Sequence, residues 1–189
     1  MNRRDLLTFK GSRSEPAVRP PWTAEDILLR GCDGCGDCVD ACPQAIISLD
    51  SQNHPALHFR DNGCTFCGDC IDTCPTNVLG TLAPKTEARE AEAREADARR
   101  PATAFPHRVE VTGDCLSLNA VSCRLCEDAC DEAAIRFRLM TGGRAFPLIS
   151  AERCTGCGNC IATCPVRSFK RVPADHRATT YPTQERASA

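Results

Sequence analysis

Large apolar side chains are scarce in this chain: Leu, Ile, Val and Phe together account for 35 of 189 residues. That is below roughly one fifth, the share at which disorder becomes a serious expectation. Aromatic residues make up only 5%. The chain also lacks the high net charge that accompanies disorder, carrying a formal -2. A folded chain of this composition needs something besides apolar burial to hold it, and disulfides or bound metal are the two candidates. No segment approaches the roughly 18 consecutive apolar residues of a membrane helix. The opening MNRRDLLTFKGSRSEPAVRPPW offers only Leu6 and Leu7 before Lys10, Arg13 and the prolines intervene, so the apolar run of a secretory signal is missing. The expectation is therefore a cytoplasmic protein without a membrane span, in a compartment where thiols stay reduced. There is no phosphate-binding glycine loop, no nucleophile elbow and no room for a substrate domain, so the chain does not read as an enzyme. The basic residues are scattered, which gives nucleic-acid binding no support.

What the chain has in abundance is cysteine. All sixteen cysteines fall in four quartets. Three of these, GCDGCGDCVDACPQAI (31–46), GCTFCGDCIDTCPTNV (63–78) and RCTGCGNCIATCPVRS (153–168), have the form C-x2-C-x2-C-x3-C followed by proline. In a reducing compartment, clustered cysteines bind metal more often than they pair with one another. Structural zinc uses two C-x2-C pairs with a longer spacer, whereas this run is the bacterial iron-sulfur pattern. Gly34, Gly36, Gly68, Gly156 and Gly158 stand between ligands, where a tightly wrapped backbone favours positive φ. The four histidines, His54, His58, His107 and His176, read as surface residues rather than ligands.

The remaining quartet, in GDCLSLNAVSCRLCEDACDEAAI (113–135), has the form C-x7-C-x2-C-x3-C, with Asp131 where the others have Pro43, Pro75 and Pro165. In two-cluster ferredoxins the fourth cysteine of each run ligates the other cluster. An intact last quartet therefore needs a working sister. The enlarged loop costs little, since each doubling of loop length adds about 0.6 kcal/mol of closure entropy. The expectation is four 4Fe-4S clusters: Cys32, Cys35, Cys38 with Cys74; Cys64, Cys67, Cys70 with Cys42; Cys115, Cys123, Cys126 with Cys164; and Cys154, Cys157, Cys160 with Cys130. If the irregular quartet is a lapsed site of buried thiols, the number falls to three.

The expected fold class is α+β, two tandem ferredoxin-like modules of short β-hairpins and short helices. The segments AIISLDSQNHPALHFRD and AAIRFRLMTGGRAFPLISAER, which join the quartets of each pair, both read as strand, turn, strand. The division is a basic N-terminal segment at 1–30, a first module at 31–83, a charged Ala/Glu/Arg linker at 84–104, a second module at 105–172 and a flexible tail at 173–189. The linker reads as a solvated helix or as a flexible charged connector. Arg3 and Arg4 resemble a twin-arginine export pattern without its apolar stretch, and read as a basic handle for a partner or as plain solvated charge. Residues 31–83 carry one Arg against seven Asp, while residues 105–172 carry nine basic and seven acidic groups. Negative surroundings disfavour an added electron, so the first module is expected to have the lower potentials.

The order of these parts resembles the NapF family, ferredoxin-type accessory proteins of the periplasmic nitrate reductase system. The likeness rests on the early Arg-Arg, RPPW at Arg19 to Trp22, two regular quartets, the irregular GDCLSLNAVSCRLCEDAC and a regular last quartet, and it covers residues 1 to about 170. The long linker and the tail after Val172 have no counterpart in that pattern. What the resemblance implies is a cytoplasmic 4Fe-4S protein that binds the catalytic subunit of nitrate reductase before export and helps it mature. A freestanding carrier that relays electrons between redox proteins is the alternative.

Overall fold

The computed structural model describes residues 16–83 and 104–175. Arg3 and Arg4, all but the last residue of the proposed linker, His176 and the tail beyond residue 175 lie outside the described residues. The architecture is a small mixed helix and strand fold in two halves, each built around two cysteine quartets.

The first half opens with α1 (Glu25–Gly31), an amphipathic helix with acidic residues in its first turn and Arg30 in its last, both favourable to the helix dipole. Leu28 faces inward and is completely buried, and the Cys32 N–H donates to the Leu28 carbonyl at 2.9 Å. The helix thus delivers the chain into the first quartet. Among the described residues four one-turn helices follow, α2 (Asp37–Asp40), α3 (Asp69–Asp72), α4 (Leu125–Asp128) and α5 (Asn159–Ala162), and each carries the third cysteine of its quartet on its buried side. Between the quartets of each half lies an antiparallel hairpin, β1 (Ile47–Leu49) with β2 (Pro55–Leu57), and β4 (Ile135–Leu139) with β5 (Ala145–Ile149). The second hairpin turns through Gly142 and Gly143, both at positive φ.

Two features depart from the sequence reading. The second half also pairs β3 (His107–Val111) with β6 (Phe169–Pro173), in register Val111 opposite Phe169. Residues 16–30, which the sequence reading set apart from the first module, are packed onto it. Arg19 is the reason: its guanidinium reaches the Asp50 carboxylate at 2.8 Å, the Pro55 carbonyl at 3.1 Å and Glu25 at 3.3 Å, clamping RPPW across the first hairpin. Val18 bridges Leu57 as a partial third strand.

Apolar packing is divided among three small clusters. Leu28, Ile46, Ile47, Val78 and Leu79 pack with Cys38 and Cys70 in the first half. Val109, Ala134 and Ile135 pack with Cys126, Cys154 and Cys160 in the second. Val18, Trp22, Phe66, Ala104 and Phe105 form the third, which draws on both halves. Cysteines are thus part of the core itself, as the shortage of large apolar residues requires.

Candidate iron-sulfur centres

All sixteen cysteines are free thiols, and the third cysteine of each quartet is buried. Burial, and after it the charge of Cys35, Cys32 and Cys74, pushes the Cys38 thiol up to about 11. Burial and the neighbouring Cys64, Cys67 and Cys42 push Cys70 up to about 12. In the second half Cys126 is raised to about 12 by burial and then by Cys115, Cys123 and Cys164. Cys160 is raised well above its ordinary value by burial and then by Cys157, Cys154, Cys126 and Cys130. In all four cases the neighbouring charges come both from the residue's own quartet and from its sister.

Four thiolates gathered out of water repel one another and lose hydration, so the sets need a polycationic partner to be anionic at neutral pH. Among the described residues, no three His, Cys, Asp or Glu side chains form a group suited to a single metal ion. Soft thiolates grouped by fours in the sequence fit an iron-sulfur cluster.

One turn recurs in all four quartets. The third residue after the fourth cysteine is left-handed every time: Ala45 (φ 51), Asn77 (φ 53), Ala133 (φ 45) and Arg167 (φ 52). That turn aims the next N–H at sulfur, Ala134 to Cys130 Sγ and Ser168 to Cys164 Sγ, both at 3.3 Å. At Cys74, burial works to raise the thiol, but N–H donors of Leu79, Val78 and Thr76 and the Thr76 hydroxyl outweigh it and hold the group below its ordinary value. Gly36, Gly68 and Gly158, at φ 90, 89 and 85, turn the chain into α2, α3 and α5. At α4 the corresponding residue is Arg124, at φ -137.

The irregular quartet is as firmly shaped as the regular ones. Its extra residues form a 3-10 turn (Leu116–Asn119) that closes at left-handed Ala120. The buried Ser117 hydroxyl donates to the Cys123 carbonyl, and the Asn119 side-chain amide donates to the Gly113 and Cys115 carbonyls, each at 2.9 Å. These bonds fix the backbone of the enlarged loop at Gly113, Cys115 and Cys123. Asp131 replaces proline without changing the turn that follows Cys130.

The profile of the 4Fe-4S dicluster domain family matches residues 31–78 and 121–168. A ferredoxin-type protein NapF of Haemophilus influenzae is 34% identical over 80% of this chain and 77% of its own length. NapF of Escherichia coli is 31% identical over 89% of this chain and 92% of its own. The chain belongs to the NapF family of ferredoxin-type proteins. A methylamine utilization ferredoxin-type protein MauM of Methylorubrum extorquens is also similar, 31% identical over 78% of this chain and 68% of its own length.

Within this NapF-family chain the dicluster profile begins its second match at residue 121, so Cys115 stands outside it, although its charge bears on Cys126. One residue near the sites was misjudged from sequence. His107, expected at the surface, is buried, its Nε2 lies 3.0 Å from the Gly156 carbonyl, and its ring sits beside those of Phe105 and Phe59. No local signal marks it, because the rings that cover it come from both halves. His54 and His58 are partly buried. Among the described residues, no helix is long and apolar enough to cross a membrane. Openness to solvent is greatest not at the irregular quartet but at Cys35 and Cys67 of the first two.

Proposed function

We propose that this protein is a cytoplasmic NapF-type accessory factor that holds four 4Fe-4S clusters and serves the catalytic subunit of periplasmic nitrate reductase before export, supplying it with electrons. The ligands are the four sets above, so that Cys115, Cys123, Cys126 and Cys164 form a working site. The observation that carries this reading is the hydrogen-bonded turn of the irregular quartet, in which Ser117 and Asn119 fix the backbone at Cys115 and Cys123. A bound cluster supplies reversible one-electron chemistry. The chain's own part is to fix four thiolates, donate N–H groups to sulfur and limit water at the buried third cysteine of each set.

Supply of electrons is favoured over supply of a cluster by the Ser117 and Asn119 bonds, which lock the one site whose long loop would otherwise make it the natural donor. The test is iron and acid-labile sulfide per chain on anaerobically purified protein, before and after incubation with the apo catalytic subunit. About sixteen irons, unchanged by the partner, is the expected result. Loss of about four irons that reappear in the partner would replace electron supply by cluster donation, and about twelve from the outset would reduce the protein to three centres.

A further inference from the structure

The two halves meet at a particular pair of quartets. The Cys64 N–H donates to the Cys157 carbonyl at 2.8 Å, so the first ligand of the second quartet and the second ligand of the fourth are joined backbone to backbone. Close approach is possible because side chains are missing on both sides. A Cβ at Gly63 would overlap the Asn159 side chain and lie 2.6 Å from its backbone nitrogen, and a Cβ at Gly158 would enter the Phe59 ring. Around this contact Phe66 and Phe105 pack at 5.7 Å between ring centroids, and Phe59 meets Phe105 edge-on at 6.5 Å. Cys64 and Phe66 of the first half line the same recess as Cys130, Cys154, Cys157 and Cys160. Within each half, α2 packs on α3 and α4 on α5, which sets the first quartet beside the second and the third beside the fourth.

We infer that the halves dock through the second and fourth quartets, so that the four centres stand in single file in the order first, second, fourth, third, with the Cys64–Cys157 contact as the link between halves. The sequence order of the quartets is therefore not their spatial order. Aromatic rings pack around the joint between the halves, while Cys35 of the first centre and Cys67 of the second are exposed to solvent. This inference rests on the four-centre reading above.

The experiment uses the full chain, purified anaerobically, with a protease recognition site inserted after Glu92. Iron and sulfide are counted first. Electron paramagnetic resonance of the fully reduced protein then reads spin–spin interaction between centres, and gel filtration after cleavage reads whether the halves stay together. The wild-type halves are expected to co-elute. Gly63→Val is expected to keep wild-type iron content while losing the spin–spin broadening that is absent from either isolated half, and its cleaved halves are expected to separate. Wild-type halves that separate on cleavage, with an electron paramagnetic resonance spectrum equal to the sum of the two, would overturn the docking. If Gly63→Val fails to hold iron, the cleaved wild type decides alone. An iron count well below sixteen strikes at the four-centre reading, and co-elution still tests the docking.

Discussion

Ala133 holds a conformation that an L-residue adopts at a cost of roughly 1 kcal/mol, and it does so to aim the next N–H at Cys130. Ala133→Gly should therefore leave the site intact and raise stability, by up to about 1 kcal/mol in chemical denaturation; a loss of stability would mean that this turn is not under strain. Ser117→Ala should cost about 1 to 3 kcal/mol, because it strips a buried bond from the Cys123 carbonyl, and should speed iron loss to a chelator from one site in four. Unchanged kinetics would show that the loop is held by something else. At Asp50, burial works to raise the carboxyl, but Arg19 and the His54 and Gln52 N–H donors outweigh it and hold the group at about 2, against an ordinary 3.8. A depressed carboxyl stabilises the fold above its unfolded value and stops doing so as pH falls through its folded one. The stability gap between wild type and Asp50→Asn should be constant above about pH 4 and shrink from there toward pH 2. The positive-φ glycines between the cysteines were legible in the sequence because spacing and residue type coincide there. Ala45, Asn77, Ala133 and Arg167 were not, since nothing about those side chains advertises a left-handed backbone.

Among the elements, α1 offers a clean contrast between its two faces. Leu28 is fully buried and Leu29 is 44% exposed. Leu28→Ala should cost about 2 to 5 kcal/mol, and Leu29→Ala no more than about 0.5 kcal/mol, in matched thermal or chemical denaturation. Equal effects would contradict the packing of this helix against the first pair of quartets. Both hairpins could be read from sequence because a strand, a turn and a returning strand lie within one short stretch. The β3–β6 pair could not, because its partners are separated by two quartets and a hairpin, and each strand alone has a weak alternating pattern. Residues 16–30 were set apart for a similar reason: what binds them is Arg19 reaching Asp50 and Pro55, a contact between distant positions.

For the whole molecule, the aromatic cluster shared by the halves couples their stabilities. Phe105, 1% exposed, belongs to the second half by sequence and packs on Phe66 and Phe59 of the first. Phe105→Ala should cost about 3 to 5 kcal/mol, and the decisive readout is hydrogen exchange: protection at Trp22 and Phe66 should fall along with that around His107. Loss confined to the second half would mean that the two fold as independent units. The doubling of the quartet pair was visible in the sequence. The joint between the pairs was not, because it depends on the absence of side chains at Gly63 and Gly158, and an absent side chain has no pattern. The shared turn at the fourth cysteine has a bearing on how genomes are read for redox capacity. A census that counts unbroken runs ending in proline credits this chain with three such runs, although the turn forms without the proline and the frame tolerates five inserted residues. On the four-centre reading proposed above, tallies of that kind undercount wherever an insertion falls ahead of the second cysteine.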